Sequence, residues 1–144
     1  SSFGWEYVAQ FVGCVKECFR VLKRGGRVVA STVHPLSAFE WDDRQKSLLV
    51  EDYFRPQVEV WQESTEIGVG QGVTIFRTLE EIFETFSSAG FIVRRLLEPM
   101  PYNIHQLSEA EKDLIPYRGK EWDAIYERLS RIPFAVVIVA DRPQ

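Results

Sequence analysis

An α/β fold, with helices laid against a sheet containing parallel strands, follows from three stretches of this sequence. In the first, an amphipathic helix runs through Gly25-Gly26 into the valine- and threonine-rich run Arg27 to Val33. A helix feeding a strand in this way is half of a β-α-β crossover, and such crossovers join parallel strands. In the second, a helix closed by Gly90 leads into a strand over residues 91–97. The third, residues 134–140, is apolar at every position, as in a strand buried on both faces. The chain has 144 residues, 45% hydrophobic and 26% charged, so one domain over residues 1–144 is expected.

Taken in order, Ser1-Ser2-Phe3 and Gly4-Trp5-Glu6-Tyr7-Val8 leave no room for a strand before the first helix. Phe11, Val12, Val15, Cys18, Phe19 and Leu22 recur at three- and four-residue steps, opposite Lys16, Glu17, Arg20 and Lys23, which predicts one buried face. Lys23 and Arg24 suit the negative end of the helix dipole, and the glycine pair can take the left-handed geometry that stops a helix. His34-Pro35 ends the strand, because proline has no N–H for a ladder. Residues 36–52 sustain neither period and read as a loop at a strand's carboxyl end, with Phe39 and Trp41 either lining a pocket or packing the loop itself. Residues 53–61 and 73–76 alternate, which predicts an antiparallel hairpin, so that 34–76 forms a loop-and-hairpin insertion over that face. Thr78 with Glu81 makes a capping box, Leu79, Ile82, Phe83 and Phe86 an apolar stripe, and Gly90 the stop. Ser108 and Glu111 form another box, Pro116 interrupts, and Trp122, Ile125, Tyr126 and Leu129 predict a last helix stripe.

Composition excludes several functions. A net charge of −4 without a basic stripe gives no electrostatic source of nucleic-acid affinity. No apolar run approaches the ~20 residues that span a bilayer, and a cytoplasmic location is the expectation. Cys14 and Cys18 lie one helical turn apart with no zinc-type spacing around them, so they read as reduced thiols and no metal site is expected.

The wording of two blocks is more specific than their period. RVLKRGGRVVASTVHP resembles the "RVLKPGG, hydrophobic strand, HP" segment of class I S-adenosylmethionine-dependent methyltransferases of the small-molecule, type 11 group, where it forms the helix before strand five and strand five itself. Arg24 stands where that family usually has proline. FRTLEEIFETFSSAGFIVRRLLEPMP resembles the same family's helix before strand six, strand six and the Glu-Pro that follows. SSFGWEYV is similar to the serine-rich turn and Leu-His-Tyr segment after strand four, with Glu6 in the histidine's place.

The resemblance implies a Rossmann-like methyltransferase fold, carboxyl half only: strands five and six, an antiparallel strand seven between them, flanking helices and an inserted hairpin. Strands one to four, with the glycine-rich loop and the acidic residue that hold the cofactor's ribose, would be missing. The function implied is methyl transfer from S-adenosylmethionine to a small molecule. Ser1, Ser2 and Phe3 would then sit at the cofactor edge of the sheet, where open α/β sheets hold ligands. His34, the only histidine at a strand's carboxyl end, is the candidate general base, or it merely ends the strand. Tyr53 and Trp61 are candidate substrate walls, and Arg77 contacts substrate or a neighbouring carboxylate. An open edge on strand five would recruit a second copy or the missing amino-terminal half. The rival reading is a non-enzymatic α+β module that dimerises or binds a partner through that edge.

One motif conflicts with this arrangement. Glu66-Ile67-Gly68-Val69-Gly70-Gln71-Gly72 matches the acidic-x-G-x-G-x-G pattern of methyltransferase cofactor loops. That pattern works between a buried strand and a helix N-terminus. Here polar Gln62 to Thr65 precede it and the β-like Val73 to Phe76 follow, so the glycines read as a flexible hairpin tip.

Overall fold

The computed structural model describes residues 1–55, 57–65, 68–114 and 120–144, without the side chains of 63–65, 68 and 120–124. Glu66, Ile67, Pro116 and the Trp122 side chain therefore lie outside the described residues.

Helix α1 (Phe11–Val21) leads into strand β1 (Arg27–Val33), α2 (Leu79–Ser88) into β6 (Ile92–Leu97), and α4 (Lys120–Arg131) into β7 (Ala135–Asp141). The three strands form one sheet in the order β1-β7-β6. β7 is antiparallel to both neighbours, from Arg27 opposite Asp141 to Val33 opposite Ala135 on one side and from Ile92 opposite Asp141 on the other. β1 and β6 thus run parallel with an antiparallel strand between them, the arrangement expected for strands five, seven and six.

Alternation decides which residues of this sheet reach the core. Ala30, Val136, Ile138 and Ala140 are buried against Phe11 and Val15 of α1 and Ile82 and Phe86 of α2, with Trp5 stacked on Phe86 at a centroid distance of 5.5 Å. Val137 and Val139 point the other way and are only partly covered, so β7 is buried on one face rather than two. Its continuous apolar run hid a period of two.

The helices differ from their sequence patterns at their edges. Val12 and Phe83, both expected in the apolar stripes, are 52% and 42% exposed. α1 stops at Val21: Leu22 is already extended, at ψ 137°, so Lys23 and Arg24 lie beyond the helix and Gly25, at φ 71°, turns the chain toward β1. The α1 carbonyls are met from a distant part of the chain. The Arg142 guanidinium, just past β7, donates to the carbonyls of Phe19, Arg20 and Leu22 and lies 4.7 Å from the Phe19 ring centroid. Both capping boxes form, Thr78 with Glu81 and Ser108 with Glu111.

The insertion is more regular than its sequence indicates. After a 3-10 turn (Pro35–Ala38), strands β2 (Glu40–Asp42) and β3 (Ser47–Leu49) pair antiparallel. Asp42 Oδ1 accepts from the N–H groups of Arg44 and Gln45, a local turn that no period could reveal. Strands β4 (Val58–Thr65) and β5 (Gly68–Ile75) make the predicted hairpin, but longer and shifted; Tyr53 precedes it in a turn, and the glycines are in β5 instead of at a tip.

Asp141 ties the sheet together at one end. Its carboxylate accepts two bonds from Arg27 on β1, at 2.7 and 3.1 Å, and one from Arg94 on β6, at 3.0 Å. The side-chain bonds from Arg27, then Arg94, lower its pKa from 3.8 to about 2. A carboxyl depressed in this way contributes stability above its unfolded pKa, near 3.9, which is lost as pH falls through the folded value. Asp141→Asn should therefore lower the melting temperature at neutral pH and leave a shallower decline from about pH 4 to about pH 2. Parallel melting curves for the two proteins across that window would count against the clamp.

Candidate functional site

The carboxyl end of β1 gathers most of the candidate residues. Ser1, Ser2 and Phe3 run along its outer edge in the parallel sense. Ser2 bridges Ser31, the amino terminus donates to the Val29 carbonyl at 3.0 Å, Ser31 N–H donates to the Ser1 carbonyl at 3.1 Å and Phe3 N–H donates to the Ser31 carbonyl at 3.2 Å. Phe3 holds φ at 45° and sets its ring 5.8 Å from Phe134, at the opposite end of the β1–β7 pairing from Asp141.

His34 lies directly beyond β1 and is 2% exposed. Its Nδ1 accepts from Leu36 N–H at 3.1 Å, capping the 3-10 turn, so the ring hydrogen is on Nε2, which meets Glu98 Oε1 at 2.8 Å. Burial pulls the His34 pKa down, and the Glu98 carboxylate opposes that shift. A general base needs a free lone pair. In this tautomer the only ring lone pair already receives the Leu36 N–H, and the hydrogen is already directed at a carboxylate. The geometry gives His34 the task of joining the ends of β1 and β6.

Arg77, at the entrance of α2, is similarly engaged. Its guanidinium donates to the carbonyls of Trp5, Val8 and Ile75 and sits 4.5 Å from the Phe11 ring centroid. Among the described residues its hydrogen bonds go to backbone carbonyls in place of the expected carboxylate ion pair, and it fastens the segment before α1 to the base of the hairpin. Burial lowers its pKa, with Glu81 and Glu6 opposing. Tyr53 stacks on Phe39 at 6.5 Å and meets Phe54 edge-on at 5.3 Å, so Phe39 packs its own loop and at the same time lines a cleft beside it. Tyr53 and Arg77 border one narrow cleft with Pro35 and Phe76. Trp61 contributes elsewhere. Its Nε1 donates to Thr74 Oγ1 at 3.1 Å, its ring faces Tyr7 at 6.2 Å, and it lies across Gly72, the residue directly opposite in β5. Gly72 is small because an indole covers it, a packing reason unrelated to phosphate or ribose.

Sequence reasoning missed two carboxylates. Glu6 is 1% exposed; its Oε2 accepts from Thr32 Oγ1 at 3.1 Å, while Oε1 has no hydrogen-bond partner among the described residues. Glu98 holds His34. The available signals were a single acid inside the apolar run Trp5 to Val8, and a Glu-Pro ending β6 as His-Pro ends β1. Among the described residues no group of three or more potential metal ligands occurs, and no helix is long and apolar enough to cross a membrane.

No protein-family model and no curated protein sequence matches the chain. Solved structures do. A Listeria monocytogenes protein assigned to the S-adenosylmethionine-dependent methyltransferases superposes on 100% of this chain and 60% of its own, at TM-score 0.65 and 21% identity. An S-adenosylmethionine-dependent methyltransferase from Mesorhizobium loti superposes on 99% of this chain and 59% of its own, at TM-score 0.67 and 19% identity. The chain thus has the α/β, Rossmann-like fold of these methyltransferases. It spans about 60% of their length.

Proposed function

We propose that this chain is the carboxyl-terminal part of an enzyme that transfers a methyl group from S-adenosylmethionine to a small molecule. The observation that carries the reading is the β1-β7-β6 sheet with β7 antiparallel, matched over the whole chain in two methyltransferase structures. Such a transfer is an in-line displacement in which positioning dominates. Ser1, Ser2 and Phe3 border the cofactor at the sheet edge, Tyr53 and Trp61 wall the acceptor side, and Arg77 and His34 hold the frame on which these residues stand. The amino-terminal half supplies the cofactor loop and pairs with the outer edge of β1.

Calorimetry with S-adenosylmethionine tests this. The complete enzyme should bind it and the 144-residue chain should not. Tight binding by the isolated chain would return the cofactor role to the Gly68–Gly72 segment, and no binding by the complete enzyme would remove the reading altogether.

His34→Gln in the complete enzyme separates frame from base. We expect a stability loss of about 1 kcal/mol and nearly unchanged turnover. A fall in turnover of roughly 10²- to 10⁴-fold, with a rate that rises with pH through the histidine's pKa and then levels, would make His34 the base instead.

A further inference from the structure

Glu6 is the buried acid that no structural role uses up. A carboxylate oxygen removed from water without a donor is costly, and native chains almost always supply one. Thr32 satisfies Oε2, yet Oε1 has no partner among the described residues. Arg77, the cation whose charge bears on Glu6, directs its bonds to the carbonyls of Trp5, Val8 and Ile75.

The place is as informative as the missing bond. Thr32 and His34 are two residues apart, so they project from one face of the strand end, roughly 6.6 Å apart along it. Each is bonded to a carboxylate: Thr32 to Glu6, His34 to Glu98. Two acids therefore stand in a row at the carboxyl end of β1, where open α/β sheets hold their ligands. The inner one is 1% exposed, and the outer one has a side chain 45% exposed. Glu6 and Glu98 both bring carboxylates to this strand end, and the Arg77 guanidinium, whose charge bears on Glu81 and Glu6, bonds elsewhere, so the complement of Oε1 is an N–H donor that brings positive charge.

We propose that Glu6 Oε1 is a binding point for an amine group of the methyl acceptor, which it orients by accepting an N–H hydrogen bond. This rests on the methyl-transfer reading for the identity of the ligand, while the site itself rests on the orphaned oxygen alone. The acceptor class named is an amine, in preference to an acid or a phosphate, which the two carboxylates would repel.

The test is a titration of the 144-residue chain, labelled with ¹³C at glutamate side-chain carboxyls, with methylammonium chloride as the probe and potassium chloride at equal ionic strength as the control. The expected result is a saturable shift of the Glu6 resonance with methylammonium only, and the Glu6→Gln chain should show no saturable methylammonium response at the remaining row. No shift beyond the potassium control overturns the proposal, and so does an unaltered saturable response at Glu98 in Glu6→Gln. Melting temperature supplies a second arm. Glu6→Gln should hold or raise it, by about 2–4 °C, because an amide keeps the shape and can still accept from Thr32 without a buried charge; a clear fall would make Glu6 a structural residue and overturn the proposal. Neither arm contains S-adenosylmethionine, so failure here and failure of the methyl-transfer reading are seen separately.

Discussion

Arg142→Ala should lower the chain's stability by about 3 kcal/mol. The last carbonyls of a helix have no partners within it. Those of Phe19 and Arg20 in α1, with that of Leu22 just past it, converge on one guanidinium nitrogen carried in from the far end of the chain. Removing a charged donor from a hydrogen bond costs roughly 1.5–3 kcal/mol, and three acceptors share this one, with partial compensation by water where the helix end is exposed. Contact with the Phe19 ring is lost as well. The backbone bonds between Arg142 and Gly25-Gly26 remain, so the strand should keep its register. Urea denaturation should show a lower midpoint with an unchanged slope, and Arg142→Lys should recover only part of the loss, since an ammonium lacks the planar fork. A loss under about 1 kcal/mol would mean that solvent caps α1 equally well.

Gly72→Ala should cost about 2 kcal/mol, in the range for overpacking, while Gly70→Ala should change stability by no more than about 0.5 kcal/mol. The added methyl at 72 would occupy the space of the Trp61 indole, displacing it from Thr74 and from Tyr7. Gly70 is exposed in the same strand. Tryptophan fluorescence should report a more solvated indole in Gly72→Ala alone. Equal behaviour of the two variants would show that the ring does not rest on Gly72, and a loss of cofactor binding by the complete enzyme in Gly70→Ala would revive the glycine-loop reading.

The contrast between these glycines shows where sequence reading stopped. Both stand in one motif, and only context argued against a cofactor loop. The structure adds the positive reason, an indole from the opposite strand, which lies 11 positions away in the chain and has no local signature. Arg77 and Arg142 escaped in the same way. A cation at a helix entrance reads as a ligand or an ion-pair partner, but both arginines bond to backbone carbonyls, and carbonyls carry no side-chain signal. His34 was legible as a residue at the site, and its tautomer was not, because that depends on Leu36 N–H and on Glu98, 64 residues away.

By itself the sequence determined the sheet-forming strands, both capping boxes and the likeness to a methyltransferase's carboxyl half. Those features depend on residues within a few positions of one another: alternation, helical period, caps and a proline that ends a ladder. Tertiary structure decided which apolar residues face the core, so that Val12, Phe83 and Val139 fall outside the best-buried set. It also decided which charged groups are tied up in the frame and which acid, Glu6, is left with an unmatched oxygen. Burial and hydrogen bonding are settled between segments far apart in the chain, and a linear pattern holds no record of how those segments meet.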